Sequence, residues 1–245
     1  ARPSSAASRQ LRLAVQAVTA DPIGARPDDE VPTGGEIAAA VMALKRRRAP
    51  GPDGIRAETL RLLFEDPERC PAARAVPNRD QLRESFVAFL QQTWSSGAVA
   101  QRFSDATMVV LPKKAGGHRG ISLLSVGWKA LSRIIMRRLE AIPTSRWQHG
   151  FANQRHTGTA QLTHRLCIEA AQRADRPLFA AYIDIAKAYD TVDHSVLFAL
   201  LERRGAGVQL IRLLRAAYAA ERGAIRVGAR YGKAFKLGRG VRQGD

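Results

Sequence analysis

The chain has 245 residues, 45% of them hydrophobic, which is enough to bury a sizeable core in one large or two small domains and too apolar for a disordered tail. Lys and Arg number 39 against 22 Asp and Glu, a formal net charge of +17 that points to a polyanionic partner. Two distant cysteines, Cys70 and Cys167, with no CxxC pair exclude a disulfide framework or a zinc cluster and suit a reducing intracellular compartment, and no apolar run reaches the length of a membrane span.

Residues 1–35 read as an extension, with one short apolar periodicity at Leu11, Val15 and Val18 and an acidic patch at Asp28 to Glu30. Thr33 and Glu36 have the spacing of a capping box, and Ile37, Val41 and Leu44 repeat at helical period. That helix is predicted to end near Arg48, where Lys45 to Arg48 would complement its negative end and Pro50-Gly51-Pro52-Asp53-Gly54 forbids continuation. Helical spacing returns over 55–64 and Leu82 to Trp94, separated by a proline-bearing loop from Asp66 to Asp80.

Ala106 to Pro112 and Ile121 to Leu124 carry short β signals around a Gly116-Gly117 turn, and Trp128 to Leu139 is helical. Ala160 to Gln172 is predicted as a helix, Leu178 to Ile185 as a strongly apolar strand, and Val192 to Arg204 and Leu210 to Ala220 as helices. Ala224 to Gly238 alternates like a hairpin turning around Arg230 to Gly232, and runs into Arg239-Gly240-Val241-Arg242-Gln243-Gly244-Asp245.

The stretch Ala181-Tyr182-Ile183-Asp184-Ile185-Ala186-Lys187-Ala188-Tyr189-Asp190-Thr191-Val192-Asp193-His194 carries the chemistry. A carboxylate at the tip of a buried apolar strand needs compensation for its desolvation, and for Asp184 a divalent cation would supply it, the alternative being a cap on the following helix. Asp190 and Asp193 flank a helix start in the manner of caps.

This stretch resembles the aromatic-x-Asp-x-x-Lys-Ala-aromatic-Asp motif of reverse transcriptases of the non-LTR retrotransposon type. Four more segments resemble that family in order: Lys45 to Ile55; Val110 to Lys113 with Arg119 to Leu123; His149-Gly150-Phe151 to Thr159; and Arg239 to Gly244. Five such matches in order over about residues 36–245 make coincidence the weak explanation.

The resemblance implies an α+β right-hand polymerase fold, with an N-terminal extension over 1–35, fingers over 36–177 and an incomplete palm over 178–245, the thumb being absent. It implies RNA-directed DNA synthesis with an RNA template, a DNA primer and deoxynucleoside triphosphates as partners, and two Mg2+ ions in the complete active site. A group II intron-type or retron-type enzyme shares these motifs, and a non-catalytic RNA-binding remnant is a reading from another class. An intracellular site, as a nuclear or cytoplasmic ribonucleoprotein, accompanies it.

Carried over by motif, Asp184 would be catalytic and metal-binding, joined by the Ile185 carbonyl. Lys113 and Arg119 would hold the triphosphate, Tyr189 would stack under the sugar and exclude a 2′-hydroxyl, and Gln243 and Gly244 would line the nucleotide pocket. Arg46, Arg47, Arg48, Arg133, Arg137 and Arg138 lack a competing acid nearby in sequence and are candidate contacts to an RNA backbone.

Three departures stand out. Gly120 replaces the family's usual Pro, and Ala152 and His156 replace usual residues in the third segment, which keeps only a general template-strand role. No aromatic-x-Asp-Asp motif follows Asp184, so the 245-residue chain alone is expected not to polymerise.

Overall fold

The computed structural model describes residues 29–112, 116–142, 144–152 and 154–242. The anticipated helix near Leu11, Val15 and Val18, and Lys113, Gln243 and Gly244, lie outside these residues.

The described chain opens with a strap, residues 29–33, that is pinned by three side chains from two helices. Trp94 Nε1 donates to Asp29 O at 3.1 Å, Gln91 Nε2 donates to Pro32 O at 2.9 Å, and Arg138 donates to Glu30 O. Thr33 then closes the expected capping box with Glu36 and starts α1, Gly34–Met42.

That helix ends six residues before Arg48. Arg61, on α2 (Ala57–Leu62), donates to the carbonyls of Met42 and Leu44, and the Arg47 amide donates to the Glu58 carboxylate. A distant arginine thus takes the helix-terminal carbonyls that Lys45 to Arg48 were expected to complement. A turn over Gly51 to Gly54 follows, and a Cβ on Gly51 would overlap the Leu124–Ser125 peptide. Only glycine allows that backbone-to-backbone approach, which joins the Pro-Gly-Pro segment to the Arg119–Leu123 segment.

The next helices are α3, Pro71–Arg74, inside the expected loop, and α4, Arg79–Ser96, stopped by Gly97 in the left-handed region at φ 65°. A short α5, Gln101–Ser104, leads into β1, Asp105–Pro112, which pairs antiparallel with β2, His118–Leu124. Then come α6 (Val126–Leu139), α7 (Thr157–Arg173), α8 (His194–Arg203) and α9 (Val208–Ala219).

Strand β3, Arg222–Val227, lies parallel to β1, with Asp105 opposite Arg222, and the sheet is therefore mixed. It turns at Gly228 and Ala229, earlier than expected, so that β4, Arg230–Tyr231, and then β5, Phe235–Lys236, both pair antiparallel with β3.

The main core joins Ile37 and Val41 of α1, Leu90 and Trp94 of α4, Leu131 of α6, and Leu210 and Leu213 of α9. A smaller cluster holds Phe198, Ala206 and Ile211. No described helix is long and apolar enough to cross a membrane.

One expected element is missing. Leu178 to Ile185 forms no strand, and its side chains face solvent, with Tyr182 82% and Ile183 89% exposed. The apolar run signals burial, but a strand also needs a hydrogen-bonding neighbour, and the described sheet does not include this segment.

Candidate active site

Asp184 lies in that extended, exposed segment, so the desolvation argument for a buried carboxylate does not hold. The segment is tethered on one side by Tyr182, whose hydroxyl meets His164 Nε2 of α7 at 2.9 Å. The two side chains border a groove of about 330 Å³ with Ile168, Gln172 and Leu178.

On the other side a turn at Lys187 to Thr191 leads to α8. The Asp190 and Thr191 amides both bond Lys187 O, and Lys187 takes a positive φ of 51°. Asp193 then caps α8, accepting from the Ser195 and Val196 amides at 2.8 and 3.3 Å. Those bonds, first the Ser195 hydroxyl and then the two amides, hold its carboxyl below the ordinary value. The expected capping role is therefore Asp193's, while Asp190 sits in the turn.

The Arg-Gly-Val-Arg segment is docked on this turn. Gly240 N donates to Val192 O at 2.8 Å, Val241 N to Tyr189 O at 2.8 Å, and Arg239 Nε to Thr191 O at 2.9 Å. His194 Nε2 meets Gly240 O at 2.7 Å, and its ring packs edge-on against Tyr218 at 4.7 Å. Gly240 has φ 88°, and a Cβ there would stand 3.0 Å from Asp190 Cα and from Tyr189 O. The close approach and the left-handed backbone both require glycine.

Arg242 anchors the same segment to the body. Its Nε lies 2.7 Å from Glu221 Oε1, and its guanidinium donates to Ser104 O, with the two charged side chains only 8% and 7% exposed. Sequence reading gave Arg242 no role of its own. Its pairing joins three chain segments far apart in sequence, which local spacing does not encode.

The other expected residues divide. Arg119 lies on β2 opposite Leu111. Arg47, Arg48, Arg133 and Arg137 are exposed, as a backbone contact needs. Arg46 is exposed too but reaches Glu65 at 2.5 Å, a partner 19 residues away that nearby sequence did not reveal.

Arg138 departs from expectation. It is buried, 3.2 Å from Glu36 and 4.6 Å from the centre of the Trp94 ring, so it braces the fold and is not carried forward as an RNA contact. Leu131, Ile134, Ile135 and Arg138 lie on one buried helical stripe, a signal already present in the spacing. Asp29, which the sequence showed only as part of an acidic patch, caps α9 from afar through the Gln209 and Leu210 amides at 3.1 and 3.2 Å.

The stretch 111–245, more than half of the chain, matches the family described as reverse transcriptase (RNA-dependent DNA polymerase), and the chain belongs to that family. It is 24% identical over 218 residues to the transposon TX1 uncharacterized 149 kDa protein of Xenopus laevis, covering 85% of this chain and 15% of that protein. It is 26% identical over 201 residues to the retrovirus-related Pol polyprotein from type-1 retrotransposable element R2 of Nasonia vitripennis, covering 74% of this chain and 19% of that protein. The chain thus spans less than a fifth of either relative, and both relatives agree with the non-LTR resemblance read from the motifs.

Proposed function

We propose that the whole protein is an RNA-directed DNA polymerase of a non-LTR retrotransposon, extending a DNA primer on an RNA template with deoxynucleoside triphosphates. In this reading 36–177 supplies the fingers and 178–245 part of the palm. The protein works inside the cell as a nuclear or cytoplasmic ribonucleoprotein.

The observation that supports it most is the docking of Gly240 and Val241 on the Tyr189–Val192 turn, because two motif segments separated by some fifty residues meet through backbone hydrogen bonds. Tyr189, partly exposed beside Val241, then offers its ring as a wall against a 2′-hydroxyl. Lys113 and Arg119 take the triphosphate, and Gln243 and Gly244 have the role of lining the nucleotide pocket.

Members of this family generally use divalent metal ions, and Mg2+ is the ion proposed here. Asp184 and the Ile185 carbonyl are hard oxygen donors open to solvent and suit one side of such a site. Among the described residues no cluster of three or more His, Cys, Asp or Glu forms around them, so a two-ion arrangement needs further donors and no step is derived through it. Bound metal would supply charge neutralisation at the transferring phosphate.

The test is RNA-templated primer extension by a polypeptide that carries this chain together with a second acid pair. Asp184→Asn should reduce extension by at least about a hundredfold, on the order of a lost electrostatic catalytic group. Tyr189→Ala should keep extension and admit ribonucleotides. Extension unaffected by Asp184→Asn would sink the assignment of that carboxylate.

A further inference from the structure

Residues 144–152 and 154–156 belong to a stapled loop that holds two large aromatic rings in water. Arg155 Nη1 donates to Ser145 O at 2.6 Å and to Gln148 O at 3.0 Å, closing the loop from inside. Gln148 N returns to Ser145 O at 3.0 Å, and His149 Nδ1 meets Thr159 Oγ1 of α7 at 2.9 Å.

On this frame Trp147 is 64% exposed and Phe151 96% exposed. Phe151 also occupies the left-handed region at φ 56°, a strained conformation for a bulky side chain, so the loop spends stability to turn that ring outward. Arg146 lies over the Trp147 ring, 4.8 Å from its centre, leaving the opposite face of the indole open.

Charge says what the rings await. No Asp or Glu occurs between Glu140 and Glu169, while Arg146, Arg155 and Arg165 do. Arg155 is committed inside the loop and Arg165 pairs with Glu169 at 3.1 Å, which leaves Arg146 beside the rings as the cation an apolar protein surface would not match, whereas a single-stranded nucleic acid offers it a phosphate and offers bases to the rings. A duplex offers the phosphates but keeps its base faces stacked.

We propose that Trp147 and Phe151 form a stacking platform for unpaired bases of single-stranded RNA. The proposal rests on the RNA-template reading above and goes beyond it by assigning the residues that grip the strand by its bases. Arg146 backs the indole as a cation, and Arg155 holds the loop in shape from within.

The test uses intrinsic fluorescence of the full chain. Trp94 and Trp128 are buried, so Trp147 is the tryptophan a ligand can reach. Titration with single-stranded oligoadenylate should quench the accessible emission, and a duplex RNA of equal length should bind with little quenching. Trp147→Ala and Phe151→Ala should each weaken single-strand affinity about tenfold and leave duplex affinity unchanged. Trp147→Phe should retain affinity while abolishing the quench. Phe151→Gly, which relieves the strained backbone, should weaken single-strand binding without lowering the thermal midpoint.

Single-strand binding that neither quenches emission nor responds to these variants overturns the platform and leaves the RNA-template reading standing. Failure to bind RNA in either form overturns both.

Discussion

Removing the Glu221 charge tests how the Arg-Gly-Val-Arg segment is fixed. Both side chains of the Glu221–Arg242 pair are more than nine-tenths buried, so solvent screening gives little relief when one partner is lost. Glu221→Gln keeps the shape and leaves a buried guanidinium facing a neutral amide. Breaking a buried pair in this way costs about 3–5 kcal/mol. At about 1.4 kcal/mol per factor of ten, the folded population falls by at least about a hundredfold relative to the unfolded.

Urea unfolding followed by tryptophan emission measures this loss, and hydrogen exchange locates it at Gly240 and Val241, whose amides bond the Tyr189–Val192 turn. The double variant Glu221→Leu with Arg242→Met should recover most of the stability, because replacing both charges removes the uncompensated one. A cost below about 1 kcal/mol for Glu221→Gln, as measured for exposed pairs, would refute the reasoning. So would a double variant less stable than the single one.

Gly240→Ala should cost about 1–2 kcal/mol from its positive φ alone and should raise exchange at the Val241 amide; unchanged exchange would show that the docked turn tolerates a Cβ. Arg138→Met should lower the urea midpoint, while Arg133→Ala and Arg137→Ala should weaken RNA binding with the midpoint unchanged, and the reverse pattern would contradict the burial argument. The Glu36 carboxyl is held below 4.5, burial opposing but the Thr33 amide and Arg138 outweighing it, and Asp193 is held below 3.8 by Ser195 and Val196. Groups with depressed values stabilise the fold above their unfolded values, so stability should fall as pH drops through 4.5 and below, and Glu36→Gln should flatten that fall in a pH series of unfolding midpoints. The logarithm of affinity for single-stranded RNA should decline with the logarithm of salt by about 0.7 per phosphate neutralised, and Arg47→Ala with Arg48→Ala should make the slope shallower.

Local signals in the sequence were reliable where the interaction spans a few residues. Thr33 and Glu36 form their box, Asp193 caps α8, and helices over 82–94, 128–139 and 160–172 exist with longer ends. Features made across the chain were not legible. Asp29 caps a helix 180 residues away, Arg61 ends a helix it does not belong to, and Arg242 finds Glu221 through the fold. Arg138 stands between these cases: its place on the Leu131–Ile134–Ile135 stripe was readable, but its charge masked the periodicity.

The apolar run at Leu178 to Ile185 shows how the site depends on tertiary partners. Its composition specifies a buried strand, yet exposed backbone and side chains remain where no neighbouring strand supplies hydrogen bonds. Asp184 is consequently positioned by what holds the ends of its segment, the Tyr182–His164 contact before it and the Gly240–Val241 docking after it. Because Arg242 anchors that docked segment to Glu221 and Ser104, the placement of the candidate metal-binding carboxylate is coupled to an ion pair in the body of the fold. The proposed chemistry thus rests on a single aspartate, while glycine at 240 and a buried arginine at 242 fix the segment docked beside its turn.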